Sequence, residues 1–346
     1  LSVLLKRTYG IRQSRKCVRA ASDRPLQLAD QYRGDLFVTS LACESDVVAF
    51  KPGTDVVLEG RAYAPGGEPV ESLLASLTVG GFGKDLLVLG DRVCHYEDGG
   101  YPVFGDPLPF TTIDLRYEHA YGGVDHVFDP AGVYAYPRNP VGRGFVLESS
   151  EASIDGLALP NLEDPYDPLT PERLVVGAFE HWEEQPLPQG FGWFAKHWQP
   201  RILLAGRMPE PPLTEDASPA TEDPEQEWDD TEGTPPDDLP MMDFAFFNGA
   251  SPGLVFPYLT GDELVETANL SADGELRFRL PSVLMDYVRV FQPSTAAAVR
   301  RRVRGRPNGI LLPLPNIGDI DSRVRAVTLG NVYGFSEAFH AAGDVP

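Results

Sequence analysis

Apolar positions along this chain recur with a period of two more often than with a helical period. In ELRFRL at 275–280, Leu276, Phe278 and Leu280 alternate with Arg277 and Arg279. Alternation of that kind puts one set of side chains on each face of a strand. The segment before it, DELVETANL at 262–270, ends at SADG (271–274), a turn sequence. Together they predict a β-hairpin over 262–281. FTTIDLRYEHAYGG at 110–123 is partly alternating, with Ile113, Leu115 and Tyr117 on one side and Asp114, Arg116 and Glu118 on the other; it predicts a half-buried strand. DVVLEGRAYAP (55–65), SLLASLTVG (72–80) and KDLLVLGDRVCHY (84–96) are strand-like and are broken by APGGEP and GGFGK, which read as turns. No long amphipathic helix is predicted in 1–280, and no internal repeat is found. The expected fold is mainly β: an antiparallel sandwich or barrel-like sheets with long loops and few short helices.

Composition supports this. Gly 34 and Pro 33 make up about a fifth of the 346 residues, punctuation suited to a loop-rich β protein, and 42% hydrophobic residues suffice for a core. The formal charge of -22 argues against nucleic-acid or anionic-membrane partners, since both need positive surface. Cys17, Cys43 and Cys94 are odd in number and irregularly spaced, so a reducing, cytoplasmic setting is expected and a disulfide framework is not. No apolar window approaches the roughly 18 residues of a membrane span. The opening LSVLLKRTYG has its charges after a short apolar stretch, unlike a signal peptide. It lacks an initiator Met and is expected to begin inside a strand of a longer protein.

Residues 1–208 form the expected β-rich domain. Residues 209–240 hold twelve acids, eight prolines and no Lys or Arg, which is over half of the net charge. Such a segment buries too little apolar area to offset its ordering entropy, so it is expected to be a mobile acidic loop, with Trp228 as the one candidate anchor for a basic partner. Residues 241–284 are expected to return to the β-rich domain, and 285–346 to form a diverged C-terminal segment. VRRRVRGRP at 299–307 is basic. Its RGRP resembles a minor-groove hook, but in an acidic chain a solvated run or an intramolecular partner for the acidic loop is the better reading.

The chemistry-bearing stretches are few. NPVGRGF (139–145) has neither the GxxxxGK[ST] nor the GxGxxG spacing of a phosphate loop and precedes no helix signal. It reads as a turn with positive φ at Gly142 or Gly144 and with Arg143 projecting. In LPNLEDP (159–165), Glu163 and Asp164 are adjacent and would point to opposite sides of an extended chain, a poor arrangement for a glycosidase pair. Asn161 is expected to bond its own backbone in a turn, and Arg143 to pair with Glu163 or Asp164. His119, Asp125, His126 and Asp129 are a dense set without a standard zinc spacing. There is no GxSxG, and Cys43 and Cys94 lie in strand-like text. FGWFAKHWQPR (191–201) brings together Phe191, Trp193, Phe194, His197, Trp198 and Arg201. It is either a plug packed on the sheet or part of a partner-binding face. No catalytic, cofactor or metal residue is assigned. The candidate partner-binding residues are Arg143, Glu163, Asp164, Phe191, Trp193, His197, Trp198, Arg201 and Trp228. An alternative reading, a carbohydrate- or peptidoglycan-acting hydrolase, would draw its carboxylates from Glu118, Asp125, Glu163 and Asp164.

Several uncommon segments in fixed order resemble one bacterial family, domain of unknown function 2169. They are ADQYRGD and SLACESDVVAFKPGTDVVLEGRAYAPGG within 29–67, LLVLGDR, PFTTIDLRYEHAYGG, NPVGRGF, LPNLEDP, QPLPQGFGWFAKHWQPR (185–201), DFAFFNGASPGL (243–254) and GDELVETANLSADGELRFRLP (261–281). The resemblance covers about 1–205 and 241–281. Members are typically encoded beside type VI secretion spike and effector genes. The resemblance therefore implies a non-enzymatic adaptor or chaperone, whose partners are a nearby-encoded effector and the spike protein.

Overall fold

The computed structural model describes residues 6–11, 17–36, 38–48, 51–97, 99–206 and 240–291, apart from 258, 260, 273, 282–283 and 286, with the backbone of 327–328. Trp228, residues 209–239 of the acidic segment and most of 285–346 lie outside the described residues.

A five-stranded antiparallel sheet has the order Leu162–Glu163, Phe82–Leu89, Ser72–Val79, Leu264–Ala268 and Leu276–Arg279. Its centre is a long hairpin whose register runs from Ser72↔Leu89 to Val79↔Phe82, closed by Gly80 and Gly81, both at positive φ. The expected 262–281 hairpin is present, with Thr267 opposite Leu276 and Gly274 N–H donating to Ser271 O at 3.1 Å. Its outward Arg277 and Arg279 lie on an edge strand, where charge discourages pairing with another chain.

A second sheet places Thr54–Glu59 between Val255–Phe256, antiparallel, and Tyr287–Phe291, parallel. The backbone thus continues past residue 285 into this sheet. Val56, Val57 and Leu58 from this sheet and Leu73, Ala75, Leu77, Val79, Leu86 and Val88 from the first belong to one apolar core. A second core gathers Cys94, Tyr121, Tyr136, Phe145, Ile154, Leu159 and Leu174.

The 110–123 stretch departs from expectation. Ile113, Leu115 and Tyr117 are buried as the alternation predicts, but the strand is only Thr112–Asp114. A 3-10 turn follows at Tyr117–His119, then Tyr121–Gly122, which pairs in parallel with Arg143–Gly144. Backbone approach explains the break. A Cβ on Gly122 would collide with the Asn139 carbonyl and one on Gly123 with that of Gly142, so only glycines let these two segments pack. Helix among the described residues is limited to one α turn, Glu151–Ile154, and short 3-10 turns. No helix among them is long and apolar enough to cross a membrane.

Candidate functional site

The segments LGDR, RYEHAYGG and LPNLEDP bring Asp91, His119 and Asn161 to one cleft, and NPVGRGF adjoins them through Arg143. Asn161 is the joint. Its N–H donates to His119 O at 2.8 Å, and its carbonyl accepts from Leu89 N–H at 2.8 Å. The Asn161 amide Nδ2 donates to Leu89 O and to Asp91 Oδ1, both at 3.0 Å. Both partners are acceptors, which fixes the amide orientation and leaves Oδ1 buried with no donor. The expectation of a local Asn161 turn bond is therefore corrected: the side chain spans between strands.

Arg143 is held by its backbone N–H on Ala120 O (3.0 Å) and by its Nε on Glu118 O (3.0 Å). Its Nη1 lies 3.9 Å from Asp91. It does not pair with Glu163 or Asp164, as expected from sequence. Glu163 pairs with Arg92 instead, and accepts from Leu169 N–H. The Leu162–Glu163 strand turns Leu162 into the sheet core, so Glu163 faces the other way, where Arg92 waits. Gly144 has positive φ, as expected for one of the two turn glycines.

The cleft is about 280 Å³, lined by Arg61, Asp91, Thr112, Ile113, Asp114, His119 and Asn161. Asp114 accepts from Arg61 Nε at 2.5 Å and lies 3.3 Å from Arg116. His119 Nδ1 is buried and unpartnered. Burial, and then the Arg143 charge, push the His119 imidazole below its ordinary range, favouring the neutral ring. Burial likewise lowers Arg143, against the opposing pull of Asp91 and Glu118. The wall is polar and carries acids of which Asp91 is largely exposed.

A bacterial family described as "Uncharacterized protein conserved in bacteria (DUF2169)" matches residues 1–313. The chain belongs to that family. No curated protein and no solved structure matches it. The match runs well past residue 281, consistent with the strand Tyr287–Phe291 beside Thr54–Glu59.

The other sequence candidates of this DUF2169 chain sit mostly inside it. Phe191, Trp193, Phe194 and Trp198 belong to the main core, with Tyr117 edge-on to Phe194 and Trp198 at ring-centre distances of 5.7 and 5.2 Å. This is the plug arrangement. It takes Phe191, Trp193 and Trp198 off the surface, because their rings fill the space between strands; His197 is half-buried. Arg201 is buried as well, bidentate on Glu44 (2.6 and 3.1 Å) and donating to Phe194 O and Phe246 O. Asp164 accepts from Tyr166 N–H at 2.8 Å.

The four acids of the hydrolase alternative each hold scaffold. Glu118 accepts from Ser40 N–H and Oγ, Asp125 from Val127, Phe128 and Leu147 N–H, and Glu163 and Asp164 as above. Burial pushes the Glu163 carboxyl up, and Arg92 and the Leu169 N–H offset this only in part. Asp129 accepts from Tyr134 N–H. Among the described residues no group of three or more His, Cys, Asp or Glu gathers to hold a metal. Cys43 and Cys94 are buried free thiols.

Sequence reasoning missed one cluster. Lys84 Nζ donates to Ser251 Oγ (2.8 Å) and Pro252 O (3.0 Å), and burial lowers its amine to about 7. A neutral amine beside a hydroxyl is the pairing used by Ser–Lys nucleophiles. Ser251 is fully buried, however, so its hydroxyl is closed to a substrate, and the pair ties the 251–253 turn to the sheet. The signal was present in the sequence: the register that turns Leu86 and Val88 inward also turns Lys84 inward.

Proposed function

We propose that this DUF2169 chain is a non-enzymatic adaptor that binds a type VI secretion effector and helps load it onto the spike protein. The observation that carries the proposal is the convergence of LGDR, RYEHAYGG and LPNLEDP on one open polar cleft through hydrogen bonds centred on Asn161, with NPVGRGF joined to the 118–120 turn by Arg143. A binding module needs a rigid, shaped surface and no reacting group. The acids and the aromatic loop are engaged in holding the fold. The strong negative charge favours a partner with basic surface and faster encounter with it.

The test is a pull-down with the whole chain as bait against the products of its neighbouring genes, at low and high salt. Capture of a toxin-like protein, together with its increased solubility or lifetime, is expected. Capture that fades as salt rises assigns part of the contact to exposed charge. A folded bait that captures neither effector nor spike at either salt overturns the adaptor reading.

A further inference from the structure

Three polar side chains meet beside the main core, where Thr54–Glu59 pairs with Val255–Phe256. Lys51, Asp55 and Asn248 are 4%, 0% and 9% exposed. The Asp55 carboxylate lies between the other two. Its Oδ2 accepts from Lys51 Nζ, and its Oδ1 accepts from Asn248 Nδ2 at 2.9 Å. Asn248 Nδ2 also donates to Gly53 O at 3.1 Å, and Gly249 N–H donates to Asp55 Oδ2 at 2.8 Å. Lys51 Nζ stands 5.9 Å from the centre of the Trp193 ring. Val56, Trp193, Ala250, Leu254 and Phe256 of the adjoining segments belong to the apolar core. An amine and a carboxamide are thus held on the two oxygens of one buried carboxylate. These are the parts of an amide exchange: a nucleophile, an acyl carbon and a proton carrier that touches both nitrogens. Fixed proximity removes much of the barrier that such an exchange meets between free molecules.

We propose that Lys51 and Asn248 form an intramolecular isopeptide bond, with Asp55 carrying the protons. Moving one proton within the Lys51–Asp55 pair turns ammonium and carboxylate into amine and carboxylic acid. Burial makes that neutral form accessible, since a charge held away from water is costly. The Nζ lone pair then attacks Asn248 Cγ; the Nζ–Cγ bond forms and the Cγ–Nδ2 bond breaks. Of the three hydrogens on the Lys51 ammonium, one stays on the new amide. The other two reach Nδ2 through Asp55, and Nδ2 leaves as ammonium with four. Asp55 ends as the carboxylate, and no other reactant is consumed. The rival loss of ammonia, closure of Asn248 onto the Gly249 nitrogen, is disfavoured because that N–H is turned onto Asp55. The bond closes 51–248 into one covalent loop, which constrains the unfolded chain as a disulfide does. It stands independently of the adaptor reading.

The test is the mass of the purified whole chain under denaturing conditions, followed by peptide mapping after proteolysis. The native chain is expected to be lighter than its sequence by one ammonia. The digest is expected to hold a branched peptide joining the Lys51 and Asn248 segments. Lys51→Arg keeps the positive charge and should show the full sequence mass. Asp55→Asn, with folding checked by tryptophan fluorescence, should lower the cross-linked fraction of freshly made chain about tenfold or more, the least a positioned proton carrier is worth. A native chain at full sequence mass overturns the bond, whatever the variants do. Loss of one ammonia without a branched peptide, the result of a succinimide at Asn248–Gly249, overturns it too, as does the same loss in Lys51→Arg. Undiminished cross-linking in folded Asp55→Asn overturns the part given to Asp55.

Discussion

Arg201 ties three parts of the fold together, and its removal should be costly. Its guanidinium is bidentate on Glu44 and donates to Phe194 O at 2.5 Å and Phe246 O at 2.8 Å. The Arg201 and Glu44 side chains are 4% and 2% exposed. Arg201→Met keeps much of the volume but strands a buried carboxylate and two carbonyls. Removing one partner of a buried pair costs about 3–5 kcal/mol. Lys196, 3.2 Å from Glu44 Oε1, retains part of the compensation, so about 3 kcal/mol is expected. Urea unfolding followed by tryptophan fluorescence reads this, since Trp193 and Trp198 flank the site; the midpoint should fall with an unchanged slope. The cause is stranded charge, so Glu44→Gln in the Arg201→Met background should recover about 1–2 kcal/mol. A single variant within about 0.5 kcal/mol of the native chain, or a double variant whose costs merely add, would refute the reasoning.

Gly249→Ala should destabilise by about 1–3 kcal/mol in the same urea assay, because its Cβ would enter the space of Glu44 Oε2 and Arg201 Nη1. Phe278→Ala, at a buried position of the 262–281 hairpin, should cost about 3–5 kcal/mol, whereas its exposed neighbour Arg277→Ala should stay within about 0.5 kcal/mol. Lys84 gives a pH signature. Its folded amine titrates at about 7 and its unfolded one near 10.5, so between those values the unfolded chain binds more protons and stability rises with pH. Over pH 7 to 8.5 the native chain should gain on the order of 1 kcal/mol relative to Lys84→Met, whose profile should be flatter. Equal slopes for the two chains would show that the amine is not held neutral.

Much of the fold is legible where period-two patterning meets a turn of known chemistry. The hairpin through SADG and the strands around GGFGK follow from local rules, because one face of each is buried and register is then fixed. The 110–123 stretch shows where that stops. Its alternation correctly names the buried side chains, yet the regular strand pairing ends at Asp114. Its later contacts are made by Gly122 and Gly123 with residues 139 and 142, and no local pattern announces a partner at that separation. Tyr287–Phe291 escaped for a similar reason: parallel pairing with Thr54–Glu59 joins segments far apart in sequence.

The same limit explains the site. Charges suggested that Arg143 would meet Glu163 or Asp164, since all three lie within a short span. Sheet register decides otherwise. Leu162 must face the core, so Glu163 is carried to the opposite face and is neutralised by Arg92, a residue that sequence distance would not have nominated. Arg143 is then left with a carbonyl and a distant Asp91, and Asn161 is free to cross-link the segments. The two motifs do not pair by charge; each bonds the backbone of the 118–120 turn between them. Asp91 keeps a largely exposed carboxylate at the cleft, 3.9 Å from Arg143, whereas the conspicuous acid pair is spent on Arg92 and on the turn at Tyr166.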